Sequence, residues 1–176
     1  MIESSSSSLS SSVQVAVRVR PMLASEAGST QCIETLQSSL DREANVVRIG
    51  GPSGPTFSFD QAFDGQSPQE FVFQSRVAPL IERCLEGYNA TVLAYGQTGS
   101  GKTHTIMGPS TALQDGESAG LIPRAVRTLF DSLQKQSVDT VGKEQPHDLE
   151  MDQTVYDYEV RVQFLELYGE TIRDLL

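Results

Sequence analysis

Apolar and polar residues alternate from residue 13 to residue 20, placing Val13, Val15, Val17 and Val19 on one side of an extended chain. A period of two predicts a half-buried strand, and Pro21, which has no N–H for a ladder, ends it. Three shorter β-type runs follow, around 33–36, 46–49 and 57–59. Gly50, Gly51, Pro52, Gly54 and Pro55 separate the last two and predict tight turns. Together the three runs predict a small antiparallel lobe.

The period then lengthens. Phe73, Val77, Ile81, Cys84 and Tyr88 recur at helical spacing. Ser67 is the expected N-cap, Pro68 the first helical residue, Glu70 the partner of a Ser-x-x-Glu capping box and Gly87 the stop. Pro79 lies inside this stretch and should kink it, since an interior proline costs about 3 kcal/mol. Residues 91–95, Thr-Val-Leu-Ala-Tyr, read as a short buried strand; a glycine-rich loop follows, and a helix is expected from Lys102. Residues 121–136 predict an amphipathic helix with Ile122, Val126, Leu129, Phe130 and Leu133 on one face and Pro123 near its start. Tyr156, Tyr158, Val160, Val162 and Phe164 alternate with polar residues and predict a last strand.

The 176 residues carry 13 Lys and Arg against 23 Asp and Glu, a net charge of −10. That balance argues against a nucleic-acid or anionic-membrane module, which would need a cationic face. Much of the excess is local, with Asp139, Glu144, Asp148, Glu150, Asp152, Asp157 and Glu159 set against Lys143. An exposed acidic insertion is expected over about 137–155. Residues 1–12 are serine-rich and are expected to form a disordered tail outside the fold at 13–176. Cys32 and Cys84, beside only two histidines, suggest neither a disulfide framework nor a metal site. No apolar run approaches the roughly 20 residues that span a bilayer, and the N-terminus lacks a basic-then-apolar signal. A cytoplasmic protein with no membrane partner is expected.

The chemistry concentrates between Gly96 and Thr103. Gly96-Gln97-Thr98-Gly99-Ser100-Gly101-Lys102-Thr103 satisfies Gly-x4-Gly-Lys-[Ser/Thr]. Glycines let main-chain N–H groups approach phosphate oxygens without Cβ interference. A lysine at this place reaches the β- and γ-phosphates, and a Thr103 hydroxyl suits Mg²⁺. The apolar run before the loop and the helix-compatible stretch after it are the context such a loop requires.

The longer block Asn89-Ala-Thr-Val-Leu-Ala-Tyr-Gly-Gln-Thr-Gly-Ser-Gly-Lys-Thr-His-Thr-Ile-Met-Gly108 resembles the phosphate-loop block of kinesin motor domains. Three further blocks agree in order: Val15-Ala-Val-Arg-Val-Arg-Pro21, Gly120-Leu-Ile-Pro-Arg124 and Phe164-Leu-Glu-Leu-Tyr-Gly-Glu-Thr-Ile-Arg-Asp-Leu-Leu176. The phosphate-loop block looks most like chromokinesins of the fourth kinesin family. The resemblance implies an α/β fold, a P-loop NTPase of kinesin-motor type with a central mixed sheet, flanking helices and a small antiparallel β lobe. It implies ATP and Mg²⁺ as cofactors. Arg18, Arg20 and Pro21 would border the adenine, with His104 on its other side. Gly96, Gln97, Thr98, Gly99, Ser100, Gly101, Lys102 and Thr103 would hold the phosphates, with Lys102 and Thr103 closest to the chemistry and Thr103 on Mg²⁺. Tyr95 and Tyr168 are assigned to packing, and Glu166 to a structural block rather than to catalysis.

The family's two switch motifs, Asn-x-x-Ser-Ser-Arg-Ser-His and Asp-Leu-Ala-Gly-Ser-Glu, do not occur in these residues. The resemblance implies that they, the microtubule-binding elements and any coiled coil for a homodimer would lie beyond Leu176. The chain is then an incomplete portion of a microtubule-stimulated ATPase of the cytoskeleton, not competent by itself. Segment 91–95 would be a central strand lacking both neighbours, and the isolated chain would be unstable through its open edges. Two other readings stand beside this one: a truncated, non-catalytic product that binds only nucleotide or partners, and a small P-loop phosphotransferase, which would need an arginine-rich lid.

Overall fold

The computed structural model describes residues 13–37, 44–109, 116–141 and 158–176. The expected serine tail, most of the expected acidic insertion, and Tyr156 and Asp157 of the expected last strand lie outside the described residues. The chain divides into two compact units, Met1–Ala125 and Val126–Leu176.

In the first unit, β1 (Ala16–Arg18) pairs in parallel with β5 (Gln61–Phe63), in the register Ala16 to Gln61, Val17 to Ala62 and Arg18 to Phe63. The Asp60 N–H donates to the Val15 carbonyl at 3.0 Å and the Val19 N–H to that of Phe63 at 2.8 Å, which extend the pairing by one bond at each end. Strand β1 is thus shorter than the alternation from Val13 suggests, because its partner offers only three residues. The sequence reading missed β5. Gln-Ala-Phe is buried at all three positions, so it carries no alternation to detect.

Between these partners lies the expected lobe: β2 (Ile33–Gln37), β3 (Ala44–Ile49) and β4 (Thr56–Ser58), paired antiparallel in that order. Val47 of β3 is buried with Ala62 and Phe63 of β5.

Helix α1 (Gln69–Arg76) starts one residue later than expected, with Pro68 itself as N-cap at φ −69° and ψ 156°. Ser67 does not cap it. Its hydroxyl donates to Asp64 Oδ1 at 2.8 Å, and the same oxygen accepts the Gln66 N–H at 2.9 Å, so an aspartate-centred turn feeds the helix instead. The capping box is therefore absent, and the Glu70 carboxylate accepts from Arg124 and from Gln74 Nε2. Pro79 breaks the helix rather than bending it. Val77 forms a turn and α2 (Ala78–Leu85) begins afresh, which places the missing N–H in a first turn, where none is needed. Gly87, at φ 97°, ends α2 as expected; the Gly87 N–H donates to the Cys84 carbonyl and the Tyr88 N–H to that of Arg83, both at 3.0 Å.

Val72 and Phe73 of α1, Val77 and Ile81 form the core with β5, and Phe71 meets Phe63 edge to face at 5.7 Å. Gln61, Gln69 and Arg124 are also buried. Each is hydrogen-bonded, as the cost of burying a polar group demands.

Residues 91–95 are not a strand. Among the described residues their backbone has no hydrogen-bond partner, and Leu93 and Tyr95 are 86% and 96% exposed. Apolar character marks what a segment can bury against, but a ladder requires a neighbour. Tyr95 consequently packs on nothing here, which corrects its assignment to the core. Helix α3 (Lys102–Ile106) follows the loop, and α4 (Leu121–Val141) begins where expected and runs on to Val141, into the stretch expected to be loop.

In the second unit, β6 (Leu165–Tyr168) and β7 (Thr171–Asp174) form an antiparallel hairpin turning at Gly169 (φ 60°) and Glu170. Residues 158–164 are not strand; the strand starts where the expected one ends. Tyr168 is 76% exposed, so its packing assignment is corrected too.

The amides of Val92, Leu93 and Ala94 should exchange at rates near those of a free chain, while those of Val19 and Val77 are strongly protected. The isolated chain should also aggregate. A sharp two-state melt with slow exchange at 92–94 contradicts this.

Candidate nucleotide-binding site

The loop between Tyr95 and α3 owes its shape to glycine. Gly96, Gly99 and Gly101 have φ of 154°, 79° and 96°. A Cβ on Gly96 would lie 2.5 Å from the Ser100 hydroxyl oxygen, so no larger residue fits there unless Ser100 moves. The Ser100 N–H donates to the Gln97 carbonyl at 3.2 Å and closes the turn. The Lys102 ammonium folds back over it, donating to the Gly96 carbonyl at 2.8 Å and the Gln97 carbonyl at 2.9 Å. Carbonyl dipoles are thereby neutralised by a cation. The N–H groups of Gly99, Gly101, Lys102 and Thr103 have no acceptor among the described residues. Thr103 and His104 are exposed just beyond. This donor set fits an anion: main-chain N–H groups, an ammonium and a hydroxyl, with no carboxylate hydrogen-bonded to the loop among the described residues.

The end of β1 lies against this loop. A Cβ on Gly101 would touch the Arg20 Cβ at 3.9 Å, and the Arg18 guanidinium donates to the Thr105 hydroxyl at 3.0 Å. Arg18 is half-buried and also donates to Gln69 Oε1 at 2.7 Å and the Ser67 carbonyl at 3.2 Å; burial draws its pKa below the ordinary arginine value. Its guanidinium is thus turned into the protein. Arg20 instead holds Glu26 through two bonds, of 2.7 and 2.5 Å, and its pKa is raised, chiefly by the hydrogen bond to that carboxylate. Pro21 is exposed beside Gly65, where a Cβ would come within 3.0 Å of the Pro21 Cα.

Sequence reasoning missed Gln69. Its signal was available: it lies four residues before Phe73, on the apolar face of α1, where a polar residue is out of place. Arg124 is likewise committed inward. Its Nε donates to the Ala119 carbonyl at 2.9 Å, and its Nη2 to the carbonyls of Gly116 at 2.9 Å and Glu117 at 2.7 Å, while Nη1 meets Glu70. A lid for a small phosphotransferase cannot use it. Gly120 approaches the end of α3 so closely that a Cβ would lie 2.4 Å from the Met107 carbonyl carbon. Glu166, in the second unit, is exposed opposite Arg173 across the hairpin at 3.9 Å. Among the described residues no cluster of His, Cys, Asp and Glu could hold a metal.

A sequence profile described as the kinesin motor domain matches residues 18–176, which include the loop and every block quoted above except the start of β1. The chain belongs to the kinesin motor-domain family. It is similar to chromosome-associated kinesin KIF4 of Mus musculus, at 40% identity over 165 residues, covering 93% of this chain and 12% of that protein. Kinesin-like protein KIN-5A of Oryza sativa subsp. japonica is 38% identical over 170 residues, covering 93% of this chain and 14% of its own length. A solved structure titled "Structure of a fast kinesin: Implications for ATPase mechanism and interactions with microtubules" superposes with a TM-score of 0.73 at 33% identity, over 94% of this chain and 41% of the other. The kinesin fold expected from the sequence is therefore present, in a chain that spans about an eighth of the curated kinesins it matches.

Glu26 should titrate at about 2, well below its ordinary 4.5, because the Arg20 hydrogen bonds favour its charged form. A depressed carboxylate stabilises the folded form fully above its unfolded value and ceases to as pH falls through about 2. Carboxyl-detected NMR checks this: Arg20→Gln should return Glu26 toward its ordinary value, and an unmoved midpoint contradicts the pairing.

Proposed function

We propose that this chain is the ATP-binding portion of a microtubule motor that couples ATP hydrolysis to movement along, or remodelling of, microtubules. The observation that carries the reading is the loop: three left-handed glycines, main-chain N–H groups with no acceptor among the described residues, and Lys102 folded over them, within a kinesin motor-domain sequence.

In this reading Gly96, Gln97, Thr98, Gly99 and Gly101 present main-chain donors to the phosphates, and Ser100 closes the turn that shapes them. Lys102 exchanges its carbonyl partners for the β- and γ-phosphate oxygens, and Thr103 offers its hydroxyl to Mg²⁺. Bound Mg²⁺ supplies charge neutralisation on the transferring phosphoryl group. Arg18, Arg20, Pro21 and His104 form the base side. Arg20, held by Glu26, keeps the turn after β1 in place. The Arg18 guanidinium, turned inward, supports the base site from beneath and leaves its surface to Pro21 and His104. Microtubule stimulation, the microtubule as partner, association with the cytoskeleton and any homodimer belong to the whole motor. Among the described residues no helix is long and apolar enough to cross a membrane.

The inward commitment of Arg124 disfavours a small phosphotransferase. Substituting Lys102→Ala in the full-length protein should weaken nucleotide binding by at least about tenfold, since a charge-assisted hydrogen bond contributes about 1.5–3 kcal/mol. It should also abolish ATP turnover. Normal turnover in that variant contradicts the site.

A further inference from the structure

The buried side chain on α1 that no motif announced lies between β1 and α3, on the base side of the site. Gln69 is 5% exposed. Its Oε1 accepts from Arg18 Nη1 at 2.7 Å, while its Nε2 donates to the His104 carbonyl at 2.6 Å and lies 3.5 Å from His104 Nδ1. The orientation of the amide is dictated by chemistry. A guanidinium only donates, so the oxygen must face Arg18, and the NH₂ group then faces His104. One of its hydrogens meets the carbonyl. The other is directed toward the imidazole, which can answer only with a lone pair on Nδ1, leaving the ring proton on Nε2.

We propose that Gln69 is a positioning residue for the base side of the nucleotide site: its single carboxamide ties Arg18 on β1 to His104 on α3 and holds the imidazole as the Nε2–H tautomer in a fixed orientation. This rests on the nucleotide reading given above. Arg18 is also bound to Thr105, one residue beyond His104, so the link is doubled on the β1 side. The imidazole has no other hydrogen-bond partner among the described residues, so its orientation depends on Gln69 alone. The loop glycines and Lys102 make no hydrogen bond to Gln69, so the phosphate side of the site stands apart from it. Base recognition and phosphate recognition are therefore separable, and Gln69 serves the first.

The test uses the full-length protein with two ligands: ADP, which has a base, and inorganic tripolyphosphate, which does not. Gln69→Met matches the side chain in size and removes all of its hydrogen bonds, to Arg18 and to His104. Gln69→Glu keeps the acceptor for Arg18 and removes the donor to His104. Both variants should bind ADP about tenfold more weakly, from the loss of a buried hydrogen bond, and tripolyphosphate as the unsubstituted chain does. In ¹⁵N spectra of the imidazoles, with the His104 signal assigned by its loss in His104→Asn, His104 should be protonated on Nε2, a signature that both Gln69 variants lose. Unchanged ADP affinity in both variants overturns the proposal. So does tripolyphosphate affinity falling in step with that for ADP, which would make Gln69 a support of the fold only. ADP affinity retained in Gln69→Glu but lost in Gln69→Met also overturns it, since the Arg18 half alone would then suffice. An unsubstituted full-length protein that binds neither ligand contradicts the nucleotide reading, while the His104 tautomer still decides whether Gln69 orients the ring.

Discussion

A loop that presents its own N–H groups outward must find a conformation in which no nearby carbonyl can take them. In this chain Gly96, Gly99 and Gly101 meet that constraint with positive φ, and Lys102 completes it by drawing the carbonyls of Gly96 and Gln97 to its ammonium. Carbonyls gather on one cation and amides are left for an anion. Gly96, Gly99 and Gly101 hold backbone angles that L-residues rarely adopt, so the separation of donors from acceptors is built into the covalent chain before any ligand arrives.

In the first unit the loop and α3 are joined to β1 through Arg18, which bonds Thr105 directly and His104 by way of Gln69. Polar groups elsewhere in the unit are committed in the same way: Gln61 accepts from Arg76, and Arg124 gathers three carbonyls of the 116–119 segment while reaching Glu70. Removing one partner from such a network leaves the other buried and unsatisfied, which costs more than the bond itself contributes. Gly65 against Pro21 and Gly120 against Met107 add close backbone contacts that only glycine permits.

How much of this the sequence disclosed depended on whether the determinant was local. The loop, the stop at Gly87 and the three-stranded lobe were legible because turn chemistry and alternation lie in consecutive residues. Strand β5 was not, since Gln61, Ala62 and Phe63 are buried on both faces and leave no period. The start of α1 was misplaced because Ser67 had a better partner in Asp64, and side-chain competition of that kind has no sequence period. Residues 91–95 read as strand from apolar character alone, yet strand formation belongs to the pair and not to the segment. At the candidate site, the glycine-rich loop and the helix after it were readable from the motif. The direction of each arginine was not: Arg18 turns inward and Arg20 pairs with Glu26 because of residues 51 and 6 positions away, respectively. Gln69 gave one faint sign, a polar side chain on an apolar face.

The central claim is that main-chain amides of the loop grip a polyphosphate while Lys102 leaves its carbonyls for it. The most direct measurement is an amide NMR titration of the full-length protein with a non-hydrolysable ATP analogue and Mg²⁺. Large shifts are expected at Gln97 through Thr103, with the Lys102 ammonium resonance changing in parallel. Amide resonances that stay unmoved across the loop at saturating analogue would contradict it.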